Sequence, residues 1–210
     1  LKDSSISKGT GIFNLTSDEL KNLNLTKKEK EDLIKPFYTS NQLHRYYGNP
    51  VNKLWIIYTD KKRREKINEY PNIKKHLDRF KDVITSDFKP YGLHRARDER
   101  FFLGEKILSL RKSVRGVFTY TDFPCYVSQT YFVIKPRTID IKYLTGLLNS
   151  KLIYFWLYNK GKKQGEQLQV DKAPLLEIPI FYEEGNKKIE EIKNIVEKII
   201  ELKSKTTDFS

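Results

Sequence analysis

An α+β fold, with a mixed, mostly antiparallel sheet, flanking helices and an amphipathic C-terminal helix, is what this sequence predicts. Three observations carry it. Short β-forming runs crowd the middle of the chain, at residues 54–58, 107–110, 117–120 and 126–134. Helical patterns lie on either side of them, at 16–34, 71–84, 141–158 and 186–203. Strands and helices do not alternate regularly, as a doubly wound parallel sheet requires.

Each element has a local reason. Gly9-Thr10-Gly11 before Ile12, Phe13 and Leu15 reads as a turn into a short strand. Thr16-Ser17-Asp18-Glu19 has the cap spacing of a helix start, ahead of Leu20 and Leu23. A second, charged helical stretch runs from Thr26 to Ile34, and Pro36 stops it. Leu54-Trp55-Ile56-Ile57-Tyr58 is an unbroken apolar run rich in β-formers, the pattern of a buried strand. Pro71 suits a first helical turn, and Ile73, Leu77, Phe80 and Ile84 then recur on one helical face. Residues 141–158 read as one long apolar helix. Residues 160–169 are polar and carry two glycines without an apolar period, the signature of a mobile loop, and 175–181 read as extended. In the last helix Ile189, Ile192, Val196 and Ile199 form a short coiled-coil-like seam. These signals divide the chain into a body, 1–181, and a helix with its tail, 182–210.

Composition bounds the function. The 210 residues hold 40 Lys and Arg against 27 Asp and Glu, so the formal charge is 40 − 27 = +13. A surplus of that size points to a polyanionic partner. Residues 183–201 hold six acidic and four basic side chains, so the surplus lies in the body. One cysteine excludes a disulfide framework and a multi-cysteine zinc site. No window of about 18 apolar residues occurs, so the sequence predicts no membrane span. Residues 1–10 lack the apolar core of a secretion signal, and a cytoplasmic protein is expected. The chain opens at Leu1, which reads as a piece of a longer protein.

No catalytic constellation can be assembled. His44, His76 and His94 have no metal-ligand spacing, and Cys125, between Pro124 and Tyr126, has no basic neighbour to activate it. The Glu191-Ile192-Lys193 and Glu201-Leu202-Lys203 triplets resemble a nuclease Glu-x-Lys, but both fall on the terminal amphipathic helix, where such residues face solvent. The phosphate-binding glycine motifs and an Asn-Pro-Pro-aromatic sequence are absent from the chain. The expectation is a non-catalytic chain with no metal and no cofactor of its own.

Three basic clusters remain. Lys61, Lys62, Arg63, Arg64 and Lys66 make a dense run suited to phosphates; the bland alternative is a solvated loop. His94, Arg95 and Arg97, continued by Arg111, Lys112 and Arg115, are richer in arginine, whose fork reads guanine edges. Arg95 and Arg97 would project from one side of an extended segment. The bland alternative is ion pairing with Asp98, Glu99 and Glu105. The third cluster offers Gln164 and Gln167 as base readers and Lys160, Lys162 and Lys163 as backbone contacts; its bland alternative is a mobile surface loop. Together they predict a footprint for nucleic acid along one concave face.

The order of segments then resembles a known family. Ile34-Lys35-Pro36-Phe37 with Leu43-His44-Arg45-Tyr46, the Trp55 strand, Tyr70-Pro71-Asn72-Ile73, Leu93-His94-Arg95-Ala96-Arg97-Asp98, Lys106-Ile107-Leu108, Gln129-Thr130-Tyr131-Phe132, Leu147-Leu148-Asn149-Ser150-Lys151-Leu152 and Leu176-Glu177-Ile178-Pro179-Ile180 are similar, in order, to the TaqI-like C-terminal specificity domain. That family is the target recognition domain of adenine-N6 DNA methyltransferases, including those of Type IIG restriction–modification enzymes. The resemblance implies a duplex-DNA partner, an upstream methyltransferase domain in the same polypeptide, and S-adenosylmethionine as that domain's cofactor. It also implies help in presenting a flipped adenine. The closing helix, 186–203, resembles the spacer helices of Type I specificity subunits. Half of such a subunit, without a catalytic domain in its own chain, is therefore the competing reading. A nuclease or an RNA-binding enzyme part is the third.

Overall fold

The computed structural model describes residues 9–84 and 88–205. Most of the segment judged for a secretion signal, and the last five residues of the tail, lie outside the described residues. In chain order the elements begin with β1 (Asn14–Thr16), α1 (Ser17–Asn22), α2 (Lys27–Leu33), β2 (Ile34–Tyr38), β3 (Tyr46–Tyr47), β4 (Leu54–Ile57), α3 (Lys61–Glu65) and α4 (Pro71–Asp78). They continue with β5 (Lys106–Leu110), β6 (Lys112–Ser113), β7 (Phe118–Thr121), β8 (Tyr126–Val127) and β9 (Tyr131–Ile134). The last are α5 (Ile141–Leu148), α6 (Lys151–Lys160), β10 (Lys162–Gln164), β11 (Gln167–Gln169), α7 (Lys172–Leu176) and α8 (Lys187–Lys205). The α+β class holds, with several small sheets in which antiparallel pairing dominates.

The chain forms two compact units, residues 1–37 with 52–98, and residues 38–51 with 99–210. In the first, β4 is the middle strand between β1 and β2, with Leu15 opposite Trp55 and Ile34 opposite Ile57. Leu15, Leu33, Ile57, Ile73 and Leu77 are fully buried and form its core. Thr16 and Thr26 cap α1 and α2 in reciprocal boxes with Glu19 and Glu29. Glu29 does more. Its carboxylate also accepts N–H bonds from Asn72 at 2.7 Å and Ile73 at 3.2 Å, capping α4, whose own N-cap residue, Tyr70, supplies no side-chain bond.

In the second unit a sheet of order β3-β7-β5-β9 is antiparallel except for the parallel β3–β7 pair. Ile107 and Phe118 of this sheet meet Leu144, Leu148, Ile153 and Leu157 of α5 and α6. The seam of α8 lies on α5: a methyl group added at Gly146 would stand 2.8 Å from Val196 Cγ2 and 3.0 Å from Ile192 Cγ2. Flanking ion pairs, Lys142–Glu197 at 3.6 Å and Lys193–Asp140 at 3.5 Å, tie the same two helices. Gly146→Val is therefore expected to cost about 2 kcal/mol by overpacking, read as a lowered melting temperature. An unchanged melt would show that the two helices do not pack this closely.

Several sequence expectations are corrected. Residues 141–158 are two helices, because Asn149 leaves the helical path and Ser150 caps α6 by accepting from Ile153 N–H at 3.2 Å. The stretch 160–169 is not a loop: Lys160 ends α6, and 162–169 form a hairpin in which β10 and β11 pair antiparallel and Gly165 makes the tight turn at φ +61°. The basic run after Asp60 is the helix α3, since Asp60 Oδ1 accepts from Arg63 N–H at 2.8 Å. Part of 175–181 belongs to α7. Helix α4 stops at Asp78, although Phe80 and Ile84 stay buried in the turns beyond it. Pro36 lies inside β2, and Ile34 is already strand.

Candidate nucleic-acid interface

The basic residues gather in two groups, one in each unit. In the first unit the α3 cluster adjoins the arginine segment that follows residue 92. Leu93 N–H donates to the Thr59 carbonyl at 3.2 Å, and Gly92 packs so closely on Arg64 that an added Cβ would stand 2.8 Å from its Cδ. Arg64 lies over the Phe88 ring at 4.5 Å, Arg63 pairs with Asp60 at 3.0 Å, and Lys66 pairs with Glu69 at 3.6 Å. Lys61 and Lys62 are exposed. The extended geometry expected for Arg95 and Arg97 is absent: Arg95 sits in a turn at φ +55°. His94 and Arg95 are exposed, whereas Arg97 is half-buried, and burial lowers its guanidinium pKa. The Arg97 carbonyl accepts from Tyr58 Oη.

The second unit brings together residues far apart in sequence. A sheet of order β10-β11-β6 sets Lys162 opposite Gln169 and Gln169 opposite Lys112. Gln164 stands opposite Gln167 across the turn. Side chains alternate along a strand. Leu168, 2% exposed, points into the core. Its neighbours Gln167 and Gln169 therefore point outward, in the same face as Lys162, Gln164 and Lys112. Two cations and three amides share one outward face, and Lys112 Nζ donates to Gln164 Oε1 at 2.7 Å. Such groups can donate to and accept from base edges, and a two-stranded ribbon fits a major groove.

The support under this face is aromatic and acidic. Lys163 Nζ sits 3.5 Å from the centroid of Tyr158, Lys160 lies over Trp156 at 5.6 Å, and Arg115 over Tyr154 at 5.9 Å. All three rings belong to α6. Asp171 accepts from Gln169 Nε2 at 2.9 Å and lies 3.7 Å from Arg111 and 3.9 Å from Lys162, while Arg111 also covers Phe132. Gln169, Asp171 and the α6 rings went unmarked in the sequence. A Gln-x-Gln strand after a glycine turn was the available signal.

Cys125 is buried, and burial pushes its thiol up to about 12, far from the range of a nucleophile. His76 is 6% exposed and bonds the Ile12 carbonyl at 2.8 Å. Among the described residues, no group of three His, Cys, Asp or Glu side chains is placed to hold a metal ion. No helix among them is long and apolar enough to cross a membrane.

Comparison with known proteins agrees with this architecture. The TaqI-like C-terminal specificity domain matches over residues 35–180, more than half of the chain. The chain belongs to that family. Among solved structures 17 chains match. One of them is the Type IIL restriction–modification enzyme MmeI in complex with DNA, with a TM-score of 0.70 at 15% sequence identity. The match covers 95% of this chain but only 27% of that one, and it establishes a shared fold. No curated protein matches the chain.

Proposed function

We propose that this chain is the DNA target recognition domain of a restriction–modification enzyme. It binds duplex DNA and directs N6-adenine methylation by an S-adenosylmethionine-dependent catalytic domain upstream in the same polypeptide. The observation that carries the proposal is the outward face of β6, β11 and β10, where Lys112, Lys162, Gln164, Gln167 and Gln169 stand in register. Gln164 and Gln167 read base edges there, while Lys61 and Lys62 of the other unit grip phosphates. In this reading S-adenosylmethionine belongs to that upstream domain, as the family resemblance implies. Against the Type I alternative stands the packing of Ile192 and Val196 of α8 beside Gly146 of α5, although Ile195 and Leu202 of the same helix stay exposed.

Duplex binding by the isolated chain, followed through a salt titration, tests the reading. With about five phosphates neutralised, the log–log slope is expected at roughly −4 to −5. Lys62→Ala should weaken every sequence alike and make the slope shallower by about one unit. Gln164→Ala or Gln167→Ala should each cost about 1–3 kcal/mol on the preferred site and relax preference at one base pair. A slope near zero removes the polyanion argument, and an unchanged base preference removes the two glutamines from the reading face.

A further inference from the structure

In the second unit a small surface hollow lies at the N-terminal end of α6, lined among others by Arg45, Arg115, Asn149, Ser150 and Tyr154. Arg45 precedes β3 and Arg115 follows β6, so two distant segments bring guanidinium groups to one hollow. Arg45 is held firmly. Its Nε donates to Asn149 Oδ1 at 3.3 Å, and its Nη2 donates to the Asn149 carbonyl. Asn149 is itself 3% exposed and fixed, donating to the carbonyls of Phe118 at 2.7 Å and Thr145 at 2.9 Å. Arg115 lies over the ring of Tyr154.

Among the described residues, no carboxylate lies within ion-pair distance of either arginine. Their partners are an amide, a carbonyl and the rings of Tyr46 and Tyr154, none of which neutralises the charge. The first turn of α6 starts at the same cleft, and its leading N–H groups have no intrahelical acceptor. One held cation, Arg45, one exposed cation, Arg115, and a helix N-terminus with no carboxylate beside them make a site for an anion.

We propose that Arg45 and Arg115 together clamp a single phosphodiester group of the bound duplex at the start of α6. The inference rests on the DNA-recognition reading above, and it moves Arg115 from base reader to backbone clamp. A phosphate fits better than a base edge. Reading guanine needs a free bidentate fork, and the Nε–Nη2 edge of Arg45 is already spent on Asn149. A tetrahedral group with two non-bridging oxygens instead accepts one contact from each of two converging arginines. Such a contact fixes the domain's register on the duplex without carrying sequence information.

The test uses the whole chain and a labelled random-sequence duplex, with salt titrations of the wild type, Arg115→Ala, Arg45→Gln and the double variant. Arg45→Gln keeps an amide donor for Asn149. Each single change should weaken binding by about tenfold. The double variant should lose only about one unit of slope, because both arginines serve one phosphate. A loss of about two units means two separate phosphates and overturns the clamp, as does an unchanged slope. A panel of single-base variants should show the same preferences with and without Arg115; altered preference would make it a base reader after all. If Arg45→Gln lowers the melting temperature, Arg115→Ala decides alone: binding weaker by about tenfold with a slope loss well below one unit supports the clamp, because Arg45 still holds the phosphate, whereas a full unit lost or binding like wild type overturns it. If the wild type itself does not bind duplex DNA, the proposed function fails, and the clamp falls with it.

Discussion

Glu29→Ala is expected to destabilise the protein by about 3–5 kcal/mol, the cost of leaving several buried donors without an acceptor. The Glu29 side chain is completely buried. One carboxylate oxygen accepts from Thr26 N–H at 2.8 Å and Asn72 Nδ2 at 2.9 Å; the other accepts from Asn72 and Ile73 N–H. It thus closes the first turns of α2 and α4 at once. Burial works to raise its pKa, but the bonds from Asn72, Thr26 and Ile73 outweigh it and hold the carboxyl below the usual range. A carboxylate with a depressed folded pKa contributes stability that is present above the unfolded value, 4.5, and is lost as pH falls through the folded one. Glu29→Gln keeps an acceptor oxygen but not the charge, so its loss should be intermediate at neutral pH and should shrink as pH falls below 4.5, because only the wild type loses the carboxylate's contribution there. Urea unfolding checks both variants, with the slope expected to hold and the midpoint to move. A loss below about 1 kcal/mol for the alanine variant would mean that water replaces the carboxylate and that the double cap matters little.

Half of that arrangement could be read from the sequence. Thr26-x-x-Glu29 has the spacing of a capping box, as does Thr16-x-x-Glu19, and both form. The second duty of Glu29 was hidden because Asn72 and Ile73 are more than forty positions away. The same distinction between local and distant signals runs through the fold. The Trp55 strand, the Pro71 helix start and the α8 seam are local patterns, and all three appear. Residues 141–158 kept an apolar period across Asn149 and Ser150, so periodicity alone could not show the break that the Ser150 cap creates. The hairpin of β10 and β11 escaped notice because only Leu168 faces inward, which leaves too little alternation to see. At the candidate site the residue types were legible, since lysines, arginines and glutamines in a chain of +13 point to polyanions. Their juxtaposition was not: Lys112 meets Gln169 only through the pairing of β6 with β11. Arg45 lay within a recognised motif, yet only the fold sets it beside Arg115.

Stability should rise by about 1 kcal/mol between pH 8 and pH 9 and then level off, because two buried groups in the second unit titrate in opposite senses. Lys106 is completely buried, and its ammonium donates to the carbonyls of Gly104 at 2.9 Å and Phe123 at 2.8 Å. Desolvation lowers its pKa from 10.5 to about 8, despite the opposing pull of Cys125 and Asp122 and with some help from Lys135. Between those values the unfolded chain carries the proton and the folded one does not, so stability increases with pH. Cys125 does the reverse. Burial raises its thiol from 9.0 to about 12, partly offset by Lys106, so above pH 9 the unfolded chain loses a proton that the folded one keeps. The two slopes cancel from about pH 9 to pH 10. Above 10.0 the buried tyrosines add to the decline, since desolvation raises Tyr38, Tyr47, Tyr120 and Tyr131. Cys125→Ala should therefore let the rise continue to about pH 10, gaining roughly a further 1 kcal/mol. Lys106→Met should abolish the rise and show only the decline above pH 9. At pH 7 it should also relieve a buried charge whose cost is about 3 kcal/mol, less what the two stranded carbonyls give back. Unfolding free energies from urea titrations at half-unit pH steps decide the matter. A Lys106→Met protein that still gains stability from pH 8 to pH 9 would show that this amine is not the titrating group.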